Sequence, residues 1–522
     1  MKNTKYKKIP PLEQKLQEVE SQGMEGLSNA RFSQKLDDNI NSLQGVFKNC
    51  FDFVVRRVNT ADGALCCAVC YIDAMVVEDI INEHIVSKIS SMNVGEMSLQ
   101  NKVAAVKNNI IAAGNMYEVD SLPTAVNHIL SASCLILVDG YEYANEVFIS
   151  GMEKRSISEP KVEAVVRGPQ DAFNEDMITS VTLIRRRLKT HKLKFELLQL
   201  GRQSKTKIVL AYVEGIAERK TVREMKKRLV RIDTDMILAS GQLQPFVEDD
   251  HLSPFPQVEL TERPDTVTAA LIEGRLALIV DGTPFVLIAP TSFTYLFTSA
   301  EDYYNRYTSA TFIRLLRYAA FGITIFGPSL YVAITTYHPE MIPTRLLMTI
   351  ANARADVPFP AFIEAFLMEL IFEVIREASI RQPKTLGQAL NIVGALVIGQ
   401  LSVQAGLVSP AMIIVVAVTG IASFLIPKFN SAREISLIRF PMMVLAGVLG
   451  IFGVIIGILI LLIHLTSLRS IGVPYMAPLT PMDFAGMKDA ILKFPERLLK
   501  RRPDFIQKNN IVRRKGVGNE HK

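Results

Sequence analysis

Hydrophobic positions fall into two patterns along the chain. Up to about residue 310, apolar runs are short and alternate with polar, helix-forming stretches, the pattern of a soluble α/β region. Beyond Arg314 the runs lengthen. "YAAFGITIFGPSLYVAITTY" (318–337), "GQALNIVGALVIGQLSVQAGL" (387–407), "SPAMIIVVAVTGIASFLIP" (409–427) and "FPMMVLAGVLGIFGVIIGILILLIHLT" (440–466) contain no Asp, Glu, Lys or Arg. About 20 helical residues cross a hydrocarbon core, so the pattern predicts four spans. In the last of them Gly447, Gly450, Gly453 and Gly457 recur at three- and four-residue spacing, predicting a close-packing helix face.

Within the first region, "CLILVDGYEYA" (134–144) and "LALIVDGTPFVLI" (276–288) each set Asp-Gly between two apolar runs. Both predict hairpins with type I′ turns, in which the two central residues take positive φ. They belong either to two sub-domains or to one shared sheet. Between them, "EAVVRGPQDAFNEDMITSVTLIRRRLK" (163–189) predicts a strand ended by Gly168-Pro169 and a helix capped by Asn174, with Glu175 and Asp176 in its first turn. Arg185, Arg186 and Arg187 meet the negative end of that helix dipole and read as a solvated face in preference to an anion site.

"PFPAFIEAFLMELIFEVIRE" (358–377) fits neither pattern. At about 100° per residue, Glu369, Glu373, Arg376 and Glu377 share one face of a helix. Leu367, Met368, Ile371, Val374 and Ile375 make the other, with Glu364 among them. Three glutamates in a lone span cost roughly 7–10 kcal/mol, against roughly 3–5 kcal/mol returned by its large apolar residues. A lone lipid-exposed crossing therefore loses. The helix either lies at the interface or dips into a protein-lined cavity, where ionisable side chains mark ion or substrate paths. In the next apolar stretch Asn391 and Ser402 share one face, and Gln400 and Gln404 another. Four spans put both chain ends on one side but leave Lys428, Arg433 and Arg439 across the membrane, against the positive-inside tendency. Making 360–376 a fifth span repairs that loop and exports the tail. Four spans plus an interfacial or re-entrant helix at 360–377 is the preferred arrangement.

Composition and charge refine this. The chain has 522 residues and a net charge of +6. The tail 488–522 alone holds eleven Lys/Arg against four Asp/Glu and reads as a solvated cytoplasmic tail near anionic lipid. No zinc pattern or aromatic RNA-binding motif points to nucleic acid. Cys67-x-x-Cys70 has no second pair and lies in an apolar run, so buried, reduced cysteine and a reducing compartment are expected. "MKNTKYKKIPPLEQK" has no apolar core behind it and is not a secretory signal. With no phosphate-binding glycine loop and no metal-ligand spacing, neither an enzyme nor a metal or cofactor site is expected. His84, His128, His338 and His464 read as ordinary interior or interfacial residues. The layout is α+β: a basic extension (1–35), a soluble α/β domain in two sub-domains (36–312), a helical membrane domain (313–470) and a basic tail (471–522).

The block "PFPAFIEAFLMELIFEVIREASIRQPKTLGQALNIVGALVIGQLSVQAGLVSPAMIIVVAVTGIASFLIP" closely resembles the membrane core of the A subunits of GerA-type spore germination receptors. "EAVVRGPQDAFNEDMITSVTLIRRRLK", "TERPDTVTAALIEGRLALIVDGTPFVLIAPTSF" and "SAEDYYNRY" resemble the soluble-domain signatures of that family, and the likeness covers roughly residues 40–485. The resemblance implies residence in the inner membrane of dormant endospores of a Bacillus or Clostridium relative, with the N-terminal domain and the tail on the core side. It implies a transporter-like B subunit that supplies the main nutrient pocket, and a C-subunit lipoprotein. It also implies a soluble module resembling solute-binding proteins, and oligomerisation into a nutrient-gated channel for monovalent cations. In such a path, carboxylates hold cations and amide or hydroxyl groups replace hydration. Glu364 and Glu369 are the candidates for the first role, and Asn391, Gln400, Ser402 and Gln404 for pore or packing contacts. A secondary transporter and a non-conducting scaffold are the competing classes.

Overall fold

The computed structural model describes residues 30–110, 116–149, 159–160, 162–381, 399–499, 501–503 and 505–506. Asn391, most of the stretch 387–407, most of the N-terminal extension and residues 507–522 lie outside them. The chain forms two compact units. One draws on Met1–Pro160, Asp171–Phe246 and Leu260–Ile288, the other on Lys161–Gln170, Val247–Glu259 and Ala289–Lys522.

The first unit repeats one module. Helix α1 (Leu36–Val46) leads to strands β1 (Phe53–Asn59), β2 (Cys66–Ile72) and β3 (Met116–Val119), helix α2 (Leu122–Ile129), then β4 (Ser133–Val138) and β5 (Ala144–Phe148). Helix α3 (Met177–Arg187) opens the same series: β6 (Leu193–Leu200), β7 (Thr206–Val213), β8 (Glu259–Thr261), α4 (Pro264–Glu273), β9 (Leu276–Val280) and β10 (Val286–Ala289). The sheet orders are β1-β2-β4-β5-β3 and β6-β7-β9-β10-β8, the same order in both. The two Asp-Gly signatures therefore mark equivalent positions in two sheets.

Their turns are not type I′. Gly140 and Gly282 take φ of 83° and 84°, but neither Asp139 nor Asp281 has a positive φ, and residues 139–143 and 281–285 link the strands. The aspartates are employed elsewhere. Asp139 Oδ1 accepts the Leu36 N–H at 3.1 Å, and Gly140 N–H donates to Gln34 O at 2.8 Å. In the second module Asp281 Oδ1 accepts the Met177 N–H at 3.4 Å, and Gly282 N–H donates to Glu175 O at 2.9 Å. Each turn thus clasps the start of the helix that opens its own module, taking up backbone donors that a helix start leaves free.

Two local expectations are corrected. Residues 163–170 form no strand, and α3 is capped by Asp176, whose side chain accepts from Ile178 and Thr179 N–H, while Asn174 holds the turn before it. Arg185 is not part of a solvated face. It is fully buried, pairs with Asp52 at 2.8 Å, donates to Leu193 O at 3.1 Å and lies 4.8 Å over the Phe195 ring. Only Arg186 is exposed, and Arg187 pairs with Asp171. The cysteine-rich run is strand β2 as expected, and all five thiols are free. Burial pushes the Cys67 and Cys70 thiols up to about 12.

The second unit is a helical bundle: α5 (Tyr307–Tyr337), α6 (Thr344–Arg354), α7 (Ala361–Arg381), α8 (Gly399–Gln404), α9 (Pro410–Phe424), α10 (Phe429–Ser436), α11 (Arg439–Ser467) and α12 (Phe484–Ala490). Among the described residues two stretches are fit by length and composition to cross a membrane, Tyr307–Tyr337 and Ser431–Ser467, with Pro410–Phe424 apolar but shorter. The second is not straight. Gly450 adopts φ 63°, ψ −143°, a conformation close to glycine-only territory, and the helix breaks there. A β-carbon at Gly453 would collide with the Leu445 carbonyl, and one at Gly457 with the Met442 sulfur. A straight helix would hold those pairs roughly 12 and 22 Å apart. Residues 439–449 and 451–467 are therefore the two arms of a hairpin, and the glycines let the arms touch. Gly447 faces Phe362 instead.

The contacts around this hairpin show which helix ends lie together. Tyr337, at the end of α5, reaches the hairpin turn, its hydroxyl donating to Gly447 O at 2.6 Å and Val448 O at 3.2 Å. α7 starts at that same end, with Phe362 against Gly447, and runs back until Glu377 meets Arg433. α9 runs alongside, from Ser409 beside Glu364 to Phe372 beside Gly420. The connection after α9 thus lies at the end of the bundle where α5 begins. There Lys428 sits between Glu163 at 2.7 Å and Glu259 at 2.8 Å. Burial alone would lower the Lys428 pKa, but the two carboxylates outweigh it and hold the ammonium above its ordinary value. Lys428 and Arg433 thus lie at the end of the bundle where α5 begins: α7 runs the length of the bundle, and the hairpin brings the chain back to the end it left.

Candidate functional site

α7 turns its charge inward. Ile363, Leu367, Leu370 and Val374 are exposed, while Glu364 and Glu369 are fully buried. Along 21 residues the helix is about 30 Å long, enough to traverse a hydrocarbon core.

Glu364 meets the start of α9. Ser409 is the N-cap there, its side chain accepting from Met412 N–H, and Pro410 takes the first helical position. Glu364 Oε1 accepts from Ser409 N–H at 2.6 Å and from its hydroxyl at 2.5 Å, which sets a carboxylate on the positive end of a helix dipole. The other oxygen, Oε2, has no hydrogen-bond donor among the described residues, and Arg354 Nε stands 3.7 Å away.

Deeper along α7, Arg439 is fully buried and bridges Glu369 Oε2 and Glu373 Oε1, each at 2.6 Å. Its Nε donates to Ser436 O at 3.0 Å, and Arg376 pairs with Glu373 at 2.6 Å. Two arginines thus face two glutamates, and the formal charge cancels. Glu369 Oε1, like Glu364 Oε2, has no hydrogen-bond partner among the described residues.

The structure brings Glu364 and Glu369 onto one buried face and holds each with an internal partner. It does not bring the glutamines to them: Gln400 and Gln404 are exposed on α8, and Ser402 is half-buried with its carbonyl accepting the Leu407 N–H at 2.9 Å. Asn391 lies outside the described residues. Ser409, Arg354 and Arg439 were not singled out as site residues. Ser-Pro at the head of an apolar run, and a lone arginine before the longest one, were the available signals.

The family model for the Bacillus/Clostridium GerA spore germination protein matches residues 41–505. The chain belongs to the GerA family. Spore germination protein KA of Bacillus subtilis is 43% identical over 465 residues, covering 88% of this chain and 85% of that one. GerLA of Bacillus cereus, also a spore germination protein, is 37% identical over 468 residues, 89% and 94% of the two chains. An uncharacterized membrane protein of Bacillus subtilis, YfkQ, is 40% identical over 92% of both. Among solved structures, the N-terminal domain of the A subunit of the Bacillus megaterium spore germinant receptor GerK3 is 32% identical with a TM-score of 0.42, covering 51% of this chain and 99% of that one.

Proposed function

We propose that this GerA-family chain is the A subunit of a germinant receptor of the spore inner membrane and forms part of a nutrient-gated channel for monovalent cations, acting with a transporter-like B subunit and a C-subunit lipoprotein. In this reading α7 crosses the membrane with its apolar face outward, and the N-terminal unit and the tail share the core side. One observation carries the conducting role: two fully buried carboxylates, Glu364 and Glu369, each present an oxygen that no donor among the described residues satisfies. A buried carboxylate oxygen without a donor is costly, and ionisable groups inside membrane helices mark ion paths. Gln400, Ser402, Gln404 and Asn391 supply amide and hydroxyl oxygens farther along the path, in an oligomer of this chain.

The second reading, a non-conducting scaffold, draws on the Arg439 bridge, which neutralises Glu369 and Glu373 within one chain. Potassium efflux from liposomes holding the purified chain separates the two. Efflux from wild type that Glu364→Gln changes supports the channel. A wild type that stays silent, alone and with co-purified B and C subunits plus nutrients, supports the scaffold.

A further inference from the structure

After the hairpin the chain returns to the start of α5 and is bolted to it. Arg314, fully buried, pairs with Asp489 at 3.5 Å and with Asp302 at 3.1 Å, and donates to the Asp489 and Ala490 carbonyls. Thr311 Oγ1 donates to Lys493 O at 3.0 Å and accepts its N–H at 3.2 Å. Tyr318 donates to Ala490 O at 3.3 Å, and the Lys493 ammonium lies 3.6 Å from the centre of the Tyr303 ring. The inner side of residues 489–493 is thereby used up.

The outer side is apolar and more basic than acidic, with Glu496 its one exposed carboxylate among the described residues of 482–501. Phe484 is 75% exposed, and Met482 and Leu498 are exposed as well. Lys488, Arg497 and Arg501 are exposed between and beyond them. The bolts hold this surface beside the first turns of α5, where Phe312 and Leu315 are also exposed. Its apolar face is thus continuous with that of a helix fit to cross a membrane.

We propose that residues 482–499 with Arg501 form an interfacial anchor: Phe484, Met482 and Leu498 insert into the leaflet in which α5 begins, and Lys488, Arg497 and Arg501 hold anionic lipid headgroups. Large apolar groups flanked by basic ones bind the boundary of an anionic membrane, with attraction from both terms. The inference rests on α5 being a membrane helix and not on conduction.

The chain contains no tryptophan, so Phe484→Trp supplies a single reporter at an exposed position. The full chain is placed in vesicles of phosphatidylcholine with phosphatidylglycerol, part of it brominated in the acyl chains. The expected emission is blue-shifted and quenched by the brominated lipid. Quenching falls when phosphatidylglycerol is left out, and falls likewise when Lys488, Arg497 and Arg501 are replaced together by Gln. Leu459→Trp, at an exposed position on the hairpin, reports insertion of the bundle itself. Quenching at Leu459→Trp without quenching at Phe484→Trp overturns the anchor alone. No quenching at either site overturns the membrane reading beneath it. Blue-shifted emission at Phe484→Trp that brominated lipid leaves untouched shows a protein covering the surface, which also overturns the anchor.

Discussion

Arg185 and Arg439 are both fully buried arginines held by carboxylates, one in each unit. Arg185 meets one aspartate with a double contact, one carbonyl and one aromatic face, and it staples the first module, through Asp52, to the second, through Phe195. Arg439 meets two glutamates on a single helix, and one of them keeps an oxygen without a donor among the described residues. In the sheet unit the buried charge is closed on itself. In the helical unit it is balanced in number but open at one atom, the arrangement expected where charge serves something besides stability.

The largest effects test that contrast directly. Arg439→Met leaves the fully buried Glu369 without its cation, while Glu373 keeps Arg376, and is expected to cost about 3–5 kcal/mol, read as a lower unfolding midpoint in detergent. Adding Glu369→Met, which leaves the Arg376–Glu373 pair intact, should restore most of the loss. Arg185→Met should cost a similar amount in the first unit. A harmless Arg439→Met would show that the helical charges are solvated, and the comparison would fail.

Gly450→Ala comes next. It forces a side chain into a left-handed conformation and against Tyr337 at 3.0 Å, so a loss of about 1–3 kcal/mol is expected. Gly322→Ala, in the middle of α5 with open space around it, should instead gain up to about 1 kcal/mol, because alanine suits a helix interior better. Equal effects at the two positions would mean that the break at Gly450 is not held by its backbone.

Within the first unit the repeat makes a finer test. Ala132 follows α2 with φ 72°, at the place where Gly274 follows α4 with φ 97°. Ala132→Gly should stabilise and Gly274→Ala destabilise, each by about 1 kcal/mol in thermal unfolding. The same sign at both sites would break the equivalence of the modules.

The smallest effect concerns the thiols. Cys67 and Cys70 are buried on β2 with thiols pushed up to about 12, so at neutral pH they should stay protonated and unreactive in the folded chain. The partly exposed Cys66 should react first with a thiol reagent. As the pH rises, Cys67 and Cys70 should gain reactivity only on approaching their raised values or on unfolding.

Much of this was legible in the sequence, for local reasons. Asp-Gly between apolar runs found both β4–β5 and β9–β10, because a glycine with positive φ is required there whatever surrounds it. The turn type was misread because Asp139 and Asp281 accept hydrogen bonds from helix starts more than 100 residues away, which spacing cannot show. The glycines of the last apolar run were visible, but a pattern fitting one face of a straight helix fits the touching arms of a hairpin equally well, and only the backbone of Gly450 distinguishes the two. Glu364 and Glu369 stood out as charge among apolar residues. Their partners Ser409 and Arg439 lie 45 and 70 residues away and become neighbours only when α7, α9 and the hairpin pack together.

The reversal potential of the purified chain in a planar bilayer under a potassium chloride gradient tests the central claim most directly. With Glu364 and Glu369 facing the path, the wild type should pass current selective for potassium, and Glu364→Gln with Glu369→Gln should move the reversal potential toward zero. A wild-type current that favours chloride, or a reversal potential that the double replacement leaves in place, would contradict it.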